Sequence, residues 1–382
     1  MHQVYVRKPS LLVFLLLLSF SSLFAQGKFN LKFKNSAVFA GIEVGSKGVK
    51  MSVLEIGKNA QKTGAVNPLK DSSVNTDFIT FSASTFQQTL DALHYLFEIA
   101  LNQYNIPAEH IFTAVSSGVK MQADKEAKAD WITTLSDSFS VRANDPARRL
   151  SVIDIKEEAR LSHLGIVPDA RRYTTFLIDI GSGNSKGGYF PNGNTKDLKL
   201  FQLNWGTKST TNATEKRCEE DKSLANFNKQ LYRVLAGAAN TEVVYAVNES
   251  GAYAMSDYIA FSGGISWSVA TLLYPELIDN AVVPVTYPEV ERLYEMLFSR
   301  YNSLSPDALV KSIADKSLDK VMIGKEVKRV HQVFDQRSLL AGTGLLLKIM
   351  RQFEGIYEKK QFYLVKNGQV GWISAYVDEQ VK

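Results

Sequence analysis

The chain has 382 residues, enough for two domains with cores of their own, and its 45% hydrophobic and 22% charged content excludes a disordered polymer. The formal charge of +5, which falls to +3 without Arg7 and Lys8, is too small to point to nucleic acid. Cys218 is the only cysteine, so an internal disulfide is excluded, and no Cys/His spacing suits a metal.

Arg7 and Lys8 precede an apolar stretch from Leu11 to Phe24 interrupted only by serines, followed by Ala25-Gln26-Gly27. A basic start, a short apolar run and a small residue describe a secretory signal peptide over residues 1–25. The run is shorter than the roughly 20 residues of a spanning helix, so the expected address is periplasmic or secreted. An uncleaved signal segment would be the one membrane contact. Residues 26–37 read as a polar linker.

Val38 to Val44 and Val49 to Ile56 read as strands around a Glu43-Val44-Gly45-Ser46 turn, and Asp77 to Ser82 as a third strand. From Phe86, apolar residues recur at spacings of three and four through Leu90, Leu93, Phe97, Leu101 and Tyr104, which predicts a helix. Ile111 to Val115 is a fourth strand leading into Ser116-Ser117-Gly118, followed by a helix from Val119 to Leu135. Ser151 to Ile155 and Lys156 to Gly165 read as a strand and a helix. The same order restarts at Thr175 with strands Thr175–Asp179, Lys186–Phe190 and Lys199–Leu203. Gly206 to Asn212 reads as a Thr/Ser-rich loop, Lys216 to Leu235 as a helix, and Tyr258 to Phe261 as a strand entering Ser262-Gly263-Gly264 and a further helix. Helices fill 287–353, and Asn367-Gly368 between two strand-like runs predicts a C-terminal β-hairpin over 356–382.

A repeated β-β-β-α-β-α-β-α order is a mixed α/β fold, with a sheet flanked by helices in each half, over 38–168 and 169–355. The repeat extends to detail. Ile42-Glu43-Val44-Gly45-Ser46 matches Ile178-Asp179-Ile180-Gly181-Ser182, and each acid is followed seven residues later by a lysine, Lys50 or Lys186. Two acid–x–Gly–Ser hairpins suggest two phosphate loops facing each other across a cleft, because glycine lets backbone N–H groups approach an anion.

Four stretches together resemble the exopolyphosphatase/guanosine pentaphosphatase (Ppx/GppA) family: the Glu43 loop, Glu157-Glu158-Ala159-Arg160-Leu161 with Leu164-Gly165-Ile166, the Asp179–Ser185 loop, and Ser262-Gly263-Gly264. The resemblance covers residues 38–353 and implies two RNase H-like (actin-like ATPase) domains with an interdomain cleft. It implies hydrolysis of phosphoanhydride bonds in polyphosphate or nucleoside polyphosphates with Mg²⁺. Glu158 would then orient the attacking water, and Glu43 and Asp179 would hold the metal. Phosphate oxygens would meet Ser46, Ser117, Gly118, Lys120, Gly181, Ser182, Gly183, Asn184, Lys186, Gly263 and Gly264. A phosphate-rich ligand is thus the expected partner, nucleic acid is not, and a homodimer is left open.

The chain departs from that pattern in four places. Glu43 replaces an aspartate, Lys47-Gly48 an Asn-Ser pair, Lys120 an arginine and Lys186 a glutamate, so altered or lost catalysis is an expectation too. The simpler reading of Glu157-Glu158 is a solvated helix face with Glu157 paired to Arg160. Against the phosphatase stand two alternatives, a non-catalytic module that binds an anion or protein in the same cleft and, less favoured, a filament-forming actin relative.

Overall fold

The computed structural model describes residues 29–46, 48–63, 65–251, 256–354, 359–366, 368 and 371–381. The expected signal peptide, Lys47 and Asn367 lie outside the described residues.

In the first half, β1 (Ala37–Gly45), β2 (Gly48–Ile56) and β3 (Val66–Asn75) form an antiparallel meander. β4 (Ile111–Val115) and β5 (Ser151–Val152) add in parallel on the other side of β1, giving the order β3-β2-β1-β4-β5. Side chains alternate across β1 as a strand requires. Ala40, Ile42 and Val44 enter a core with α1 (Ala83–Glu98), whose Leu93, Leu96 and Phe97 face the sheet; α2 (Ser117–Lys125) and α3 (Ala129–Arg142) close that side. Phe39 points the other way, toward α4 (Ile155–Ile166).

The second half repeats the plan. β6 (Thr175–Ile180), β7 (Ser185–Tyr189) and β8 (Lys199–Leu203) form the meander, and β9 (Tyr258–Ser262) lies parallel to β6. Two further strands, β10 (Val282–Val285) and β11 (Gln361–Val365), complete the order β10-β11-β9-β6-β7-β8. Phe176, Ile178 and Ile180 face a helical layer built from α5 (Thr207–Arg217), α6 (Leu224–Ala236), α7 (Ala238–Ser250), α8 (Gly264–Leu273), α9 (Tyr287–Ser299), α10 (Pro306–Ser312), α11 (Lys320–Val333) and α12 (Gln336–Glu354). Both halves therefore carry a mixed sheet with helices on its faces, as the repeat predicts. Among the described residues, no helix is long and apolar enough to cross a membrane.

Four expectations are corrected. The third strand is Val66–Asn75, and the DFITFS stretch is instead a short 3₁₀ turn, Phe78–Thr80, followed by the Ser82 cap of α1. β3 is a polar edge strand with Pro68, Lys70 and Asp71, so it lacks the apolar signal that central strands give. The predicted helix over Val119–Leu135 is two, α2 and α3, broken where Ala127 takes a positive φ of 53°.

The Thr/Ser-rich loop is largely the first half of α5. Thr211 and Thr214 return their hydroxyls to the Thr207 and Thr210 carbonyls at 2.8 Å, which satisfies polar groups buried against α12. The C-terminal hairpin is a strand followed by a helix. β11 joins the second sheet, and α13 (Gly371–Gln380) crosses to the first half, where it packs on α4 and β1. Residues 371–378 are all buried, so α13 shows no polar face and its Trp, Ile, Tyr and Val read as a strand.

The crossing is close. A Cβ on Gly165 of α4 would lie 1.8 Å from the Gly371 carbonyl oxygen, and one on Gly41 of β1 would lie 2.4 Å from Ile373. The linker is also fixed at its end. The Lys32 and Phe33 N–H groups, the Ser36 hydroxyl and the Asn67 amide all donate to the buried Glu55 carboxylate, at 2.7–3.0 Å.

Candidate functional site

Between the halves lies a cleft of about 550 Å³. The β1–β2 and β6–β7 hairpins open onto it, and it gathers Glu43, Ser46, Gly118, Glu158, Asp179, Gly181, Ser182, Gly183, Asn184, Lys186, Gly263 and Gly264. The spacing of these residues along the chain runs from 43 to 264, so the two halves meet here as the repeated hairpins suggest. Ser117 and Lys120 do not line the cleft. Lys120 pairs with Asp124 at 2.7 Å on the exposed face of α2, so its expected phosphate contact is corrected.

Glu158 is the centre of the site. Asp154 caps α4 by accepting the Glu157 N–H at 2.8 Å, and the two glutamates follow in the first turn, where the helix dipole favours negative charge. The structure then separates them. Glu157 is bonded to Arg160 at 2.6 Å, the solvated pairing that the simpler reading describes, while Glu158 is 4% exposed and faces the cleft. Its Oε2 accepts the Ser117 N–H at 2.6 Å, and its Oε1 meets the Lys186 Nζ at 2.7 Å. The Ser117 N–H expected for phosphate is thus already taken by a carboxylate at the start of α2.

Lys186 is also buried and comes within 4.0 Å of Asp179 Oδ2. Asp179 in turn accepts the Ser262 hydroxyl at 2.9 Å. Gly263, with φ +95°, must be glycine, since a Cβ would lie 2.3 Å from the Ile180 carbonyl and 3.0 Å from Asp179 Oδ1. Burial pushes the Glu158 carboxyl up, but the Lys186 ammonium and the Ser117 donor outweigh it and hold the group below its ordinary range. Burial would lower the Lys186 pKa, yet Glu158 and Asp179 raise it, so the lysine stays charged. Burial raises Asp179 against the pull of Lys186, and raises Glu43 against the pull of Lys50.

The second loop is a closed turn. The Gly181 N–H donates to the Asn184 carbonyl at 3.0 Å, so this group too is unavailable to a phosphate. The loop is anchored on α5, whose Thr207 and Lys208 N–H groups donate to the Gly181 and Ser182 carbonyls at 2.9 and 2.7 Å.

Several cleft residues escaped the sequence reading. Lys50 had a signal, its place in the repeat. Lys208 lies in the stretch read as a loop. Trp267 and Arg329, stacked with the guanidinium 5.1 Å from the ring, stand on α8 and α11 with no motif to mark them. Trp372, from α13, lines the cleft with Glu43 and favours its charged form.

Magnesium does not fit the residues as arranged. Mg²⁺ requires octahedral oxygen ligands, and here an ammonium already contacts Glu158 and approaches Asp179. A divalent ion about 4 Å from that ammonium would meet a repulsion of roughly 8 kcal/mol at an effective dielectric near 20, before any gain from its ligands. Among the described residues, no group of three or more His, Cys, Asp or Glu side chains is arranged to hold a metal.

No protein-family model and no curated protein sequence matches the chain. Solved structures do. A Ppx/GppA phosphatase of Aquifex aeolicus, type II variant, is 15% identical with a TM-score of 0.58, over 90% of this chain and 99% of that one. An exopolyphosphatase of Cytophaga hutchinsonii is 14% identical with a TM-score of 0.56, over 90% and 98%. A third, an exopolyphosphatase-like protein, is 14% identical with a TM-score of 0.55, over 91% and 100%. Over about nine tenths of its length, this chain shares the fold of those Ppx/GppA structures.

Proposed function

We propose that this is an exported, Ppx/GppA-like phosphatase that hydrolyses a phosphoanhydride bond of polyphosphate or a nucleoside polyphosphate in the interdomain cleft. The observation that carries the reading is Glu158, a buried carboxylate held in ionised form between two facing glycine hairpins. Phosphoryl transfer asks for positioning and charge stabilisation more than for covalent help. Each Glu158 oxygen has a second lone pair beyond its Lys186 or Ser117 contact, so it can still accept a hydrogen bond from an attacking water. Lys50, Lys208 and Arg329 supply positive charge along the walls. Export rests on the signal-like first 25 residues.

The test is phosphate release by protein lacking residues 1–25, supplied with long-chain polyphosphate and with guanosine and adenosine polyphosphates, beside Glu158→Gln. Release lost in the variant supports the role of Glu158. Release that survives the substitution removes it.

A second reading is favoured by the Lys186–Glu158 ion pair, which ties up the groups a hydrolase needs. The cleft then binds a phosphate-rich ligand without turnover, and the ligand raises Tm while no phosphate is released.

A further inference from the structure

The internal repeat extends to charge. In the β1–β2 register Glu43 stands opposite Lys50, and in the β6–β7 register Asp179 stands opposite Lys186. Both acid–lysine pairs open onto one cleft, but they differ in exposure. Lys50 is exposed at its wall, whereas Lys186 is buried and makes its 2.7 Å contact with Glu158 across the interface of the two halves. Two carboxylates, Glu158 at 2.7 Å and Asp179 at 4.0 Å, therefore flank one covalently attached cation, and Glu43 lines the same cleft. A lysine ammonium is a compact point charge with three donors, able to neutralise carboxylates that would otherwise repel an anion.

We propose that Lys186 is a tethered cation standing in the place of a divalent metal, so that the cleft takes a phosphate chain that carries no divalent ion. The ligand class is a metal-free oligophosphate. It lies against the exposed Lys50 and Lys208, while Lys186 offsets the carboxylates behind it. The ligand part of this inference rests on the proposed function; the metal part stands on the ion pair alone.

Two measurements test it on protein lacking residues 1–25. The first is Mn²⁺ titration by electron paramagnetic resonance of wild type and Lys186→Met. Wild type is expected to leave millimolar Mn²⁺ free, and the variant to bind it at least tenfold more tightly, as Glu158 and Asp179 lose their shared counter-ion. Wild-type Mn²⁺ binding that Asp179→Asn abolishes overturns the proposal, and so does a folded Lys186→Met that gains no binding. Should Lys186→Met not fold, the wild-type and Asp179→Asn titrations decide it.

The second is the Tm shift given by tripolyphosphate in EDTA and in Mg²⁺. A shift of equal size in both supports metal-free binding, and a shift that requires Mg²⁺ overturns it. If tripolyphosphate gives no shift in either buffer, the oligophosphate ligand and the proposed function fall, while the Mn²⁺ result still decides the role of Lys186.

Discussion

At the scale of single residues, the Glu158–Lys186 pair dominates. Breaking a buried pair leaves a naked charge and costs about 3–5 kcal/mol, whereas removing both charges together costs far less. Lys186→Met alone is therefore expected to lower the unfolding free energy by that amount. Adding Glu158→Gln should restore most of it in a urea denaturation cycle. Additive losses would mean that the contact is not a coupled pair.

His163 offers a pH test. It is fully buried beneath Phe190 and bonded through Nε2 to the Thr175 carbonyl, and burial lowers its pKa from 6.5 to about 4. Between those values the unfolded chain binds a proton that the folded chain refuses. This contribution is complete above pH 6.5 and is lost as pH falls toward 4, by about 3 kcal/mol in all. Denaturation midpoints across that range should fall in wild type and flatten in His163→Gln.

At the scale of elements, α4 and α13 act as one unit. Their crossing depends on Gly165, where a methyl group would collide with the Gly371 carbonyl, a backbone atom that cannot rotate aside. Gly165→Ala is expected to destabilise the protein by roughly 1–3 kcal/mol, read by thermal melting, and to disturb Glu158 on the same helix. Because Trp372 of α13 lines the cleft with Glu43, a shift in the crossing would reach both carboxylates that the first half contributes, Glu43 and Glu158.

The N-terminal lead-in is a second such unit. Burial would raise the Glu55 carboxyl, but its four donors outweigh this and hold it down at about 2. Glu55→Ala should expose residues 29–36 to limited proteolysis at neutral pH while the downstream core stays protected.

At the scale of the molecule, the C-terminal segment belongs to both halves. β11 is a strand of the second sheet, and α13 is part of the core of the first. Arg160 of α4 also bonds Glu379 of α13 at 2.6 Å. Deleting residues 371–382 should therefore unfold the first half and not trim a tail, with loss of its cooperative transition in calorimetry. A deletion that left two intact transitions would show α13 to be dispensable.

The sequence by itself determined the central strands, the pairing of Glu43 with Lys50 and of Asp179 with Lys186 along a repeat, and the Glu157-Glu158 helix. These are set by local period and glycine turns, which act over a few residues. It also held the polar β3 and the threonine-rich start of α5, but their signals were masked, because the edge position of β3 and the burial of the α5 threonines against α12 depend on neighbours far along the chain. Only the tertiary structure decided that Glu157 is solvated and Glu158 buried, that Lys186 meets Glu158 and not a free cleft, and that α13 returns to the first half. Each depends on which surfaces two separate sheets bring together, and desolvation there turns ordinary charges into a coupled cluster.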